Sequence, residues 1–216
     1  MKTLSLAAAL LALLSGSSLL SGCVSPGLVT ARQNLAVAKA ATETPLFKAS
    51  LREDRDEIFS LLAKVVEVQS SNPQGRELIG AILEGRKADA LQLAASEADV
   101  NAKIINSESK LYDGYTPLML AAWSDDKALV KALAAKGADL TDGKAFGVTP
   151  NSSMAKLLLD LGCPVEKEHP GGATMLSWFA IREKAEIVRL LISRGADVEK
   201  AREFIQKQIR GLTANP

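Results

Sequence analysis

The chain has 216 residues, with 26 basic against 25 acidic side chains and a formal net charge of +1. That balance leaves no broad basic field for a polynucleotide, and two cysteines with one histidine are too few for a Cys/His zinc site or a disulfide scaffold. The length is ample for one domain or a short repeat array with a real core.

Met1, Lys2 and Thr3 give a short positive start, residues 4–14 run LSLAAALLALL without a charge, and small polar residues follow as far as Cys23. This is the order of a secretion signal. The apolar run is about half the ~20 residues that a membrane-spanning helix needs, so a cleaved leader is preferred to an anchor. Leu20, Ser21, Gly22 and Cys23 resemble the bacterial lipobox. The resemblance implies a lipoprotein signal peptide over 1–22 and a Cys23 that becomes the first mature residue and carries three acyl chains, palmitate among them. Each buried CH₂ contributes ~0.8 kcal/mol to membrane association, so such anchoring is effectively permanent. Val24, where Asp would be a retention signal, implies an outer-membrane lipoprotein facing the periplasm. Residues 23–43 then read as a lipidated N-terminus and tether. With Cys23 acylated, Cys163 is the remaining thiol and no intramolecular disulfide forms.

Internal periodicity appears when the chain is aligned on GAD and TPL. Residues 113–140, DGYTPLMLAAWSDDKALVKALAAKGADL, resemble an ankyrin repeat along their whole length. Residues 171–198 repeat the register, with Thr116 to Gly137 and Thr174 to Gly195 both 21 apart. Weaker copies start at Thr44 (TPLFKA, then FSLLAK at 59–64), at Arg76 in the Thr place, and at Thr149–Pro150. The starts are 32, 40, 33 and 25 residues apart. The 40 places a seven-residue insertion near 102–112. The 25 removes eight residues from the fourth copy, about two helical turns, so its inner helix is expected to be missing or cut to one turn. The resemblance implies an all-α ankyrin-repeat solenoid of four to five helix pairs, one of them truncated, with short hairpin loops, over residues 44–198. Residues 199–216 complete it as a capping helix and tail, with Ala201, Phe204, Ile205 and Ile209 on one face.

The register has a physical sense. Thr116 is placed to cap a helix whose first turn holds Pro117, and Gly137 and Gly195 stand where a second helix ends and a positive φ is useful. Cys163 falls at the place of Ala138 and Ala196, so a small buried side chain is preferred to a reactive thiol. His169, in the polar stretch EKEHPGG, reads as a solvated loop residue. The family's usual His after TPL is replaced by Phe47, Ile79, Met119, Ser152 and Ser177, which implies weaker bonds between loops. Trp178 and Phe179 stand where the third copy has Leu120 and Ala121. Overfilling of that size is destabilising unless space lies nearby. The two rings either plug the gap left by the shortened fourth copy or line a pocket there, and the plug is the preferred reading.

Ankyrin arrays generally bind proteins through hairpin tips and the solvent-facing residues of the inner helices. Carried onto this chain, those positions are Leu51 and Arg52, Leu83 and Glu84, Tyr115, Trp123 and Ser124, and Ile181 and Arg182. Tyr and Trp are typical interface anchors. The resemblance therefore implies a periplasmic protein-protein interaction module with an unidentified protein partner, membrane attachment through its lipid, and no cofactor, metal, nucleic acid or small-molecule substrate. An alternative from another class is an immunity or inhibitor protein that neutralises a toxic enzyme in the periplasm. An enzyme is disfavoured: there is no Ser/His/Asp set, no metal-ligand spacing and no phosphate-binding glycine loop, Gly171–Gly172 being a hairpin turn.

Overall fold

The computed structural model describes residues 44–65, 67–105, 112–167 and 172–213. The signal peptide, Cys23, the tether, His169 and insertion residues 106–111 lie outside them. Contacts gather into two compact units: the chain through Gln69 together with Lys103–Gly114, and Ser70–Ala102 together with the chain from Tyr115 onward.

In the first unit, α1 (Pro45–Leu51) and α2 (Arg55–Val65) pack on each other. The Asp54 carboxylate accepts the Glu57 N–H at 3.0 Å, and Asp56 and Glu57 complement the positive end of α2. Leu46, Ala49, Ile58, Phe59 and Leu62 are buried. β1 (Glu67–Gln69) and β2 (Lys103–Ile105) pair antiparallel, with Val68 opposite Ile104. This two-stranded sheet corrects the all-α expectation. The physical cause is local: Ile104 and Ile105 are β-branched, Ile104 is fully buried, and its carbonyl accepts the Gly114 N–H at 2.8 Å.

In the second unit the helices come in pairs. α3 (Pro73–Leu83) packs on α4 (Lys87–Ala95), α5 (Pro117–Trp123) on α6 (Lys127–Ala135), the single turn α7 (Lys144–Gly147) on α8 (Ser152–Asp160), and α9 (Met175–Ile181) on α10 (Ala185–Ser193). Successive pairs also meet: α3 lies on α5 and α5 on α7, while α4 lies on α6 and α8 on α10. The last helix, α11 (Val198–Thr213), packs on α9 and buries Ala201 and Phe204, as a terminal cap should.

Capping sets each boundary. Thr116 accepts the Met119 N–H at 3.3 Å, Asp126 the Leu129 N–H at 3.0 Å and Asn151 the Met154 N–H at 2.9 Å. Thr174 and Ser177 form a buried capping box, each side chain accepting the other's backbone N–H. α6, α8 and α10 all end on a glycine at positive φ, Gly137, Gly162 and Gly195. The next residue in each case, Ala138, Cys163 or Ala196, is buried and donates to the carbonyl five residues back. Cys163 thus packs as a small apolar side chain. Burial, helped by the Asp142 carboxylate, pushes its thiol up to about 12.

Two register assignments are corrected. α3 starts at Pro73, with Asn72 accepting the Gly75 N–H at 2.9 Å, so Asn72–Pro73 and not Arg76 plays the Thr-Pro part. In the fourth copy, Thr149–Pro150 follows the inner helix instead of opening it. The inner turn starts after Asp142–Gly143, as the third copy starts after Asp113–Gly114. Twelve residues separate Gly114 from the cap Asp126 and eight separate Gly143 from the cap Asn151, a loss of four residues and not of eight.

The loops are joined despite the missing histidines, contrary to the weakness expected of them. Asn101 donates to the Gly137 carbonyl at 3.2 Å and accepts the Asp139 N–H at 2.9 Å. Two copies further, Glu166 accepts the Asp197 N–H at 2.7 Å. Asn72 similarly donates to the Glu97 carbonyl at 2.8 Å and accepts the Asp99 N–H at 3.2 Å.

Candidate protein-binding surface

The surface is built on the ends of the inner helices α5 and α9. Tyr115 stands just before the cap Thr116, at the start of α5, and Trp123 is the last residue of the helix. The Tyr115 and Trp123 rings meet at 6.0 Å with 59° between their planes. Both are half-buried, which corrects the expectation that they point freely into solvent. Burial pushes the Tyr115 hydroxyl up to about 12, against an opposing pull from the Arg182 charge. Ser124 is half-buried too, its hydroxyl donating to the Ala121 carbonyl at 3.1 Å.

On α9, Phe179 is buried and meets the buried Phe146 of α7 edge to face, centroids 5.5 Å apart at 88°. This is the favourable arrangement for two rings, and it fills the space that the shortened inner turn leaves. Trp178 lies at the rim of that plug, half-buried, its indole N–H 3.4 Å from the Gly147 carbonyl. The guanidinium of Arg182 sits over the Trp178 ring at 4.8 Å. The turn after α7 is fastened on its other side as well, Asn151 donating to the Asp125 carboxylate at 2.9 Å. Thr149, in the same turn, keeps a buried hydroxyl without a hydrogen-bond partner.

Ile181 is 40% exposed beside Arg182, whereas Leu83 at the end of α3 is 5% exposed and belongs to the core. Leu83 is therefore removed from the solvent-facing set. Glu84 is exposed and pairs with Arg86 at 2.7 Å. Arg52, in the first unit, pairs with Glu57. Leu51 ends α1, but its side chain lies outside those described. The structure thus brings together Tyr115 with Trp123 and Trp178 with Arg182, and leaves Arg52 in a separate unit. Sequence reasoning missed Phe146, whose signal was the Asp142–Gly143 dipeptide in the register of Asp113–Gly114.

Among the described residues no group of three or more His, Cys, Asp or Glu is placed to hold a metal. None of the described helices is long and apolar enough to cross a membrane. A comparison with curated proteins finds no match to the chain. Residues 113–143 match the family model of the ankyrin repeat. That match places an ankyrin repeat, a protein-protein interaction module, on the stretch that forms α5, α6 and the Tyr115–Trp123 pair.

Proposed function

We propose that the protein is a membrane-anchored ankyrin-repeat solenoid that binds another protein at the periplasmic face of the outer membrane, by contact and without catalysis. One observation carries the reading: in the ankyrin-repeat stretch Tyr115, before the inner helix, and Trp123, at its end, form a ring pair that is packed yet partly open to solvent. Rings held by each other lose little freedom on binding, which is what an anchor requires. Trp123, Tyr115, Ile181 and Arg182 are the anchors, with Ser124 and Glu84 at the rim. The lipobox-like Leu20–Cys23 supports anchoring by lipid, and residues 24–43 act as the tether.

Two measurements test this. Capture of the partner from crosslinked envelopes should weaken by ~2 kcal/mol or more in Trp123→Ala, and undiminished capture contradicts the surface. A tagged fatty acid should enter the wild-type chain and not Cys23→Ala; incorporation that survives the substitution contradicts the lipid anchor.

A further inference from the structure

We propose that the end of α9 takes a partner segment in which a carboxylate lies beside an apolar side chain, the carboxylate on Arg182 and the apolar group on Ile181. This rests on the protein-binding reading above and names the chemistry of the partner.

Most arginines of this protein are paired. Arg86, Arg189 and Arg194 each meet a carboxylate of their own chain. Arg182 does not. It is exposed, it makes no ion pair among the described residues, and its guanidinium is stacked on Trp178. Stacking covers the face of a guanidinium and leaves its in-plane N–H donors uncovered, the edge that grips a carboxylate with two parallel bonds. It also holds the fork in place, so less ordering remains to be done on binding.

Charges nearby do not fill the role. Glu183, next in the chain, is exposed and forms no ion pair with Arg182, and the Asp125 carboxylate is taken by Asn151. The cation is tied to an aromatic surface by its stacking on Trp178, and its charge also opposes the upward shift of the Tyr115 hydroxyl. Ile181, adjacent in the chain and 40% exposed, supplies the apolar contact beside the charge. A neutral or basic segment would leave the guanidinium edge without its partner while covering it, which is unfavourable.

The test uses the full lipidated chain in detergent micelles and two synthetic peptides, one built of Glu and Leu, the other with Gln in place of every Glu. Binding is followed by tryptophan fluorescence. The acidic peptide should bind ~10-fold tighter or more, the usual size of a charge-assisted contact. The preference should vanish in Arg182→Gln and shrink at about 0.5 M salt, with the far-ultraviolet circular dichroism unchanged. Equal binding of the two peptides, binding of neither, or a preference that survives Arg182→Gln overturns the proposal. Envelope capture that is kept by Arg182→Gln and lost in Trp123→Ala also overturns it, while leaving the protein-binding reading standing.

Discussion

Removing the ring of Phe179 tests how the shortened fourth copy is filled. Phe179 and Phe146 are both fully packed, edge to face at 5.5 Å. Phe179→Ala should lower the unfolding free energy by ~4 kcal/mol, since it deletes a buried ring at a site whose backbone is held on both sides. Phe146→Ala should cost a similar amount. The double variant should cost ~1 kcal/mol less than the two single losses together, because the ring pair itself is lost only once. Urea unfolding followed by circular dichroism gives these values, and Phe179→Leu keeps a measurable transition if the Ala variants are too unstable. Trp178→Ala, at the half-buried rim, should cost less, ~1–2 kcal/mol for its packed part and the stacked Arg182. A loss below ~1 kcal/mol for Phe179→Ala, or strict additivity in the cycle, would refute the plug.

Three further outcomes follow from single groups. Thr149→Val should be neutral or stabilising by ~1 kcal/mol, because it removes a buried hydroxyl that has no partner; a loss of stability in thermal melts would show that the hydroxyl is used. Asn101→Ala breaks both bonds to the next loop and should cost ~1–2 kcal/mol, with faster amide exchange at Asp139; unchanged exchange there would mean that the side chain does not tie the loops. Tyr115 keeps its proton up to about 12 when folded, against an ordinary 10. The stability this contributes, on the order of 2 kcal/mol, is fully present below pH 10 and is lost as pH rises from 10 through 12. Melts at pH 9 and 11 should show a drop that Tyr115→Phe reduces, and an equal drop in both proteins would exclude the assignment.

Where structure is written in neighbouring residues, the sequence was legible. Thr116 with Pro117 and Thr174 with Ser177 announce helix starts, and Gly137 and Gly195 announce ends, because each acts within one turn of itself. The same locality misled in the fourth copy. Thr149–Pro150 looks like a helix start, but only the length needed to reach the cap at Asn151 reveals that α7 has already ended. Asn101 and Glu166 join loops more than thirty residues away, and nothing beside them in the chain announces it. The surface was legible in outline for a similar reason. Register selects the end of each inner helix, yet packing decides that Leu83 is inside and Ile181 outside.

The most direct test of the account exploits two exposed isoleucines on opposite members of one helix pair: Ile181 ends the inner helix α9, and Ile192, 46% exposed, lies on the outer helix α10. A photocrosslinking amino acid placed at each position in living cells reports which side the partner occupies. A single protein adduct is expected from position 181 and none from position 192. An adduct from 192 alone would move the binding surface to the outer helices, and the absence of any adduct at 181 while the chain still captures its partner would contradict the claim that the inner-helix ends do the binding.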